Sequence, residues 1–161
     1  MTDFLRIWQD VQGTEAAKSA DTARAAAQAA AEQATRVAQA RDQFAAMGLH
    51  DYLQAQASAM QASGFWVRHT VNGVEGRAQA VLEFVPAPGE AFCDAHIGGR
   101  NTVSMIVESY GEGVSCRLYA RNAVDNAIPE VPLAALALAD VQAWFERFVR
   151  FGLATRQPCR A

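Results

Sequence analysis

The sequence predicts an α+β fold in which a long Ala-rich N-terminal helix, either an arm or half of a hairpin, precedes a four- to five-stranded antiparallel sheet packed on a C-terminal aromatic helix. Three observations carry this. Glu15 to Ala46 holds neither glycine nor proline and has alanine at nearly every second position. Residues 65–120 change from helical to two-residue periodicity, broken by Asn72-Gly73, Gly98-Gly99 and Gly111-Glu112-Gly113. Residues 140–153 gather Trp144, Phe145, Phe148 and Phe151 at helical spacing. The change of pattern divides the chain into a helical region, 1–63, and a sheet-plus-helix region, 64–161.

Phe4, Leu5, Trp8 and Val11 follow an i, i+4, i+7 rhythm behind Thr2 and Asp3, which predicts a short helix over about 3–12, with Gly13 loosening the chain behind it. The next helix is favoured by summed propensity, because Ala loses no side-chain entropy on becoming helical and Gln, Arg and Glu lose little. Within it Ala16, Ala20, Ala23, Ala27, Ala30, Ala34 and Val37 alternate spacings of four and three, which is an a/d heptad seam built from small residues. Such a seam lets two backbones approach closely but buries little area per turn, so the helix needs a covering surface. The candidates are the segment from Asp51 to Ser63, in a hairpin, or a second copy of the chain. Gly48 suits the C-terminus of this helix, and Leu49, Leu53, Ala57 and Met60 give the following one an apolar face that ends at Gly64.

Phe65, Val67, His69 and Val71 alternate with Trp66, Arg68 and Thr70, and Asn72-Gly73 signals a type I′ hairpin into Ala78–Phe84, closed by Pro86 and Pro88. The stretch 91–97 is left open as strand or loop. Val103, Met105 and Val107 mark a strand, and the Gly111 turn leads into Val114, Cys116 and Leu118. Residues 122–138, with Pro129 and Pro132, read as an irregular connection to the last helix, whose aromatic face belongs against the sheet.

Composition narrows the function classes. A net charge of -3 gives no global attraction to nucleic acid or anionic lipid. No stretch approaches the roughly 20 apolar residues of a membrane span. Three cysteines without close spacing and no leader-like start point to a cytoplasmic protein with free thiols.

Cys93, Asp94 and His96 are the one cluster of ligand-type residues, and they lack a second ligand pair, so no metal and no cofactor is expected. A small thiol or metal enzyme around Cys93 and His96 is the third reading of function. Trp66, Arg68, Arg117, Tyr119 and Arg121 share the outward side of their strands, where rings interleaved with guanidiniums suit nucleic acid or an acidic peptide. The leading expectation is a non-enzymatic interaction or assembly protein, a homodimer through Ala16, Ala20, Ala23, Ala27, Ala30, Ala34 and Val37. No family resemblance is carried by these residues.

Overall fold

A computed structural model of the chain describes residues 2–95 and 99–155. The fold is α+β, with long N-terminal helix, antiparallel sheet and C-terminal helix in the expected order. Among the described residues no helix is long and apolar enough to cross a membrane.

Helix α1 runs without interruption from Thr2 to Ala46. The expected break at Gly13 does not occur. A glycine inside a helix costs about 1 kcal/mol relative to alanine, too little to stop a helix with strong formers on both sides. Gly48, at φ 80, separates α1 from α2, Leu49–Ala62, as its left-handed conformation suits glycine.

The packing divides the chain into two compact units, Met1–Thr35 and Arg36–Ala161, while the change in residue pattern falls at 63/64. In the first unit every residue from Asp3 onward is exposed. The second contains the end of α1, all of α2, the sheet and α3.

Six strands form one sheet: β1 Val67–Val71, β2 Ala78–Phe84, β5 Val103–Ser109, β6 Gly113–Ala120 and β7 Ala123–Asp125 in that order, with β8 Val131–Pro132 also on β6. All pairings are antiparallel. Two short strands, β3 Asp94–Ala95 and β4 Gly99–Arg100, pair with each other, so part of the open 91–97 stretch is extended. The connection 122–138, expected to be irregular, holds β7 and β8.

The β1–β2 hairpin forms, but not through a two-residue Asn72-Gly73 turn. Val71 pairs with Ala80, and the loop is closed by Asn72, whose Oδ1 accepts from the Gln79 amide at 3.0 Å. Asn72 takes the positive φ, 48°, that a side chain able to hydrogen-bond locally tolerates.

One face of the sheet carries Val67, Leu82, Phe84, Met105, Val107, Cys116 and Leu118, all buried. Helix α2 lays Leu49, Leu53 and Ala57 into this core, and α1 adds Val37, Ala40 and Phe44. Helix α3, Leu138–Ala154, contributes Val141, Trp144 and Phe148. Ala137 has no side chain to cap α3, so Asp140 reaches back to accept from the Ala137 amide at 2.8 Å. Gly152 is a packing requirement: a Cβ there would stand 2.5 Å from Cζ of buried Phe84. The apolar face of α2 is thus part of the sheet core.

Candidate interaction surfaces

Two surfaces gather the residues singled out in the sequence. The first is the exposed length of α1. Ala16, Ala20, Ala23, Ala27, Ala30 and Ala34 are exposed, whereas Val37 is 5% exposed and belongs to the core of the second unit. The exposed seam therefore ends at Ala34. Toward the N-terminus Phe4, Leu5, Ile7, Trp8 and Val11 are between 46% and 70% exposed. Their side chains account for half of the large hydrophobic residues left exposed among those described.

The second surface is the outward face of the sheet, and the strand register explains it. Arg68, Glu83, Ser104, Tyr119 and Val124 are successive partners across β1, β2, β5, β6 and β7, so they form one row. Thr70, Val81, Ile106 and Arg117 form the next row, and Gln79, Glu108 and Ser115 a third. Trp66 precedes β1 and stacks on Phe92 with centroids 4.8 Å apart. The Arg68 guanidinium lies 5.6 Å from the Trp66 centroid and 5.9 Å from that of Phe92.

Glu83 and Glu108 organise this face rather than interrupting it. Arg68 binds Glu83 at 2.6 Å, and Arg100 approaches the same carboxylate at 3.9 Å. Glu108, with a side chain 2% exposed, is gripped by Arg77 at 2.8 Å and by Arg117. Burial alone would raise the Glu108 carboxyl, but the hydrogen bonds and charges of the two arginines outweigh it and hold the group below its ordinary value. Arg100 also approaches Asp94, at 3.7 Å, so four guanidiniums meet three carboxylates here, in a chain of net charge -3.

The structure therefore brings Trp66, Arg68, Arg117 and Tyr119 onto one face. Arg121 lies in the turn beyond β6, beside a small cleft lined by Pro86, Arg100 and Thr155. Arg77 alternates with Gln79 and Glu83, so its side was legible but not its partner Glu108 across the register; Phe92 and Arg100 come from outside the main sheet, where alternation along its strands says nothing.

The remaining candidates are less favourable for chemistry. Cys93 is disulfide-bonded, which corrects the expectation of a free thiol at that position and removes the nucleophile from the thiol-enzyme reading, while Cys116 keeps its free thiol. His96 lies outside the described residues. Cys116 is buried, and burial pushes its thiol up to about 12, the behaviour of an inert core cysteine. Among the described residues no group of three His, Cys, Asp or Glu side chains is placed to hold a metal.

His50 and His69 stand 6.4 Å apart between the start of α2 and β1, with Phe44 edge-on to His50. Neither nitrogen of His50 nor Nε2 of His69 has a partner among the described residues, while His69 Nδ1 lies 3.1 Å from Gln54 Oε1. Burial lowers both imidazoles; His50 lowers His69 further, and Asp51 partly offsets the effect at His50. A lowered folded value means that the folded state takes up protons less readily than the unfolded one. The associated stability is present above the ordinary value of 6.5 and is lost as pH falls through the folded values. Urea midpoints should thus hold between about pH 8 and 7 and fall toward pH 5, and His69→Gln should flatten that slope. A midpoint that rises with acidification would contradict this account.

Comparison with known protein families, curated proteins and solved structures finds no match to this chain.

Proposed function

We propose that this chain is a non-enzymatic interaction or assembly protein that pairs with a second copy through the exposed part of α1. One observation supports the reading above others: from Asp3 to Arg36 every residue of this helix is exposed. The length and alanine content of α1 favour the helix itself, but most helical stability in proteins comes from packing one face, and here the seam face is uncovered. Close backbone approach is what the 4-3 spacing of alanines permits, and an antiparallel pair is the arrangement small seams suit.

Light scattering at tens of micromolar tests this. The unmodified chain should have the mass of a dimer or larger species. Ala27→Glu places a charge at the middle of the seam, opposite its own copy in an antiparallel pair, and should remove that step of association. A monomeric unmodified chain would sink the reading.

A second reading, a binding module for nucleic acid or an acidic peptide, is favoured by the excess of arginine and the Trp66–Phe92 stack on the sheet face. Its test is retention of a single-stranded oligonucleotide that weakens with salt and with Arg68→Ala. The location proposed with the first reading is cytoplasmic. The Cys93 disulfide weighs against it, since such bonds persist in oxidising compartments.

A further inference from the structure

The tip of α1 is a different surface from the Ala seam. Carried back in the same 4-3 rhythm, the seam reaches Gly13, Gln9 and Arg6, not the large apolar residues. At about 100° per residue, Phe4, Ile7, Trp8 and Val11 fall within an arc of roughly 100°, with Leu5 beside it. Asp3, Arg6 and Asp10 lie outside that arc, so covering it buries no charge.

We infer that this tip is a second docking surface, and that its occupant is the same tip of another copy, laid antiparallel. The inference rests on α1 being the associating element. Three features of residues 3–12 lead to it. First, an isologous contact must be self-complementary, and pairing residue i with 15 − i sets Phe4 against Val11 and Ile7 against Trp8, large against small each time. Second, antiparallel alignment opposes the helix dipoles, whereas parallel alignment would bring two positive N-terminal ends together. Third, the four side chains of the arc are about half exposed or more and offer about 100 Å² each, so two tips bury about 800 Å², the size of a weak, reversible contact.

A lipid surface suits the tip less well. Asp3 and Asp10 outnumber Arg6, and a membrane-bound amphipathic helix carries a basic polar face. Because the seam and the tip use different sides of α1, a chain with both contacts assembles beyond a dimer.

Sedimentation equilibrium of the full chain, Trp8→Asp, Val11→Asp and Ala27→Glu separates the cases, with circular dichroism to confirm that helix content is kept. The unmodified chain should exceed a dimer at high concentration. Both tip variants should lose that last step, with association weakened at least tenfold, and stop at a dimer. Ala27→Glu should also stop at a dimer, one now held by the tips and dissociated by adding Trp8→Asp. Tip variants indistinguishable from the unmodified chain would overturn the tip contact while leaving the seam reading intact. If Trp8→Asp is monomeric and Ala27→Glu changes nothing, the tip contact stands and the seam reading fails. A tip that binds phosphatidylcholine–phosphatidylserine vesicles while the unmodified chain stays monomeric overturns the proposal in favour of a membrane.

Discussion

Phe148→Ala should destabilise the protein by about 3–5 kcal/mol, the range for removing a fully buried aromatic ring. Phe148 is 0% exposed, and its ring stands edge-on to Phe84 at 5.0 Å and 6.3 Å from Phe145. The cost depends on how far the surroundings collapse into the space. Here they are constrained: Phe84 is itself wedged between Phe148 and the backbone of α3 at Gly152, where no Cβ fits. Phe84 also belongs to β2, whose seven residues pair with β5 along their whole length. A domain of this size has about 5–15 kcal/mol of stability in total, so the variant should show a large drop in urea midpoint with an unchanged slope. A loss below about 1 kcal/mol would show that α3 does not supply the core.

The features legible in the sequence are those set by local periodicity. Val103, Met105 and Val107 alternate because one sheet face is buried, and Trp144 and Phe148 recur because α3 has one apolar side; neither needs knowledge of a distant residue. Gly48 was readable because an αL position at a helix end calls for glycine. The failures share a cause. Gly13 and Asn72-Gly73 are local signals of modest strength, and continuous helix in one case and strand register in the other prevailed.

The same distinction runs through the candidate surfaces. Alternation places Arg68, Glu83, Glu108, Arg117 and Tyr119 outward correctly. It does not reveal that Gln79 and Glu83 would be buried on that side too, under the arginines that grip the carboxylates. That burial follows from Glu83 and Glu108 lying on the two central strands, flanked on both sides by strands that bear arginine. The Ala seam was legible as a surface, but which residues stay exposed depends on where the second unit begins; Val37 falls inside it.

Glu108→Ala should cost about 2–3 kcal/mol, below the 3–5 kcal/mol of breaking a fully buried pair, because the partners left behind reach solvent. Arg77 is 29% exposed and Arg117 43%, whereas Glu108 is 2% exposed. Removing the carboxylate also leaves Gln79 Nε2 without the acceptor it reaches at 3.4 Å. Arg77→Ala should be milder, since Arg117 still neutralises Glu108. The pH dependence has a definite sign: a carboxyl held below its ordinary 4.5 contributes stability above that pH and loses it as pH falls through the lower folded value. The unmodified protein should therefore weaken on acidification below about pH 4.5, and Glu108→Ala should flatten this limb. The variant also separates structural from binding roles for the outward face. With Glu108 gone, two guanidiniums are uncompensated, so if the face accepts polyanions, oligonucleotide affinity should rise at low salt even as the fold loses stability. Lower stability with no gain in anion binding would show that the arginines serve only to hold Glu108 and, through it, the centre of the sheet.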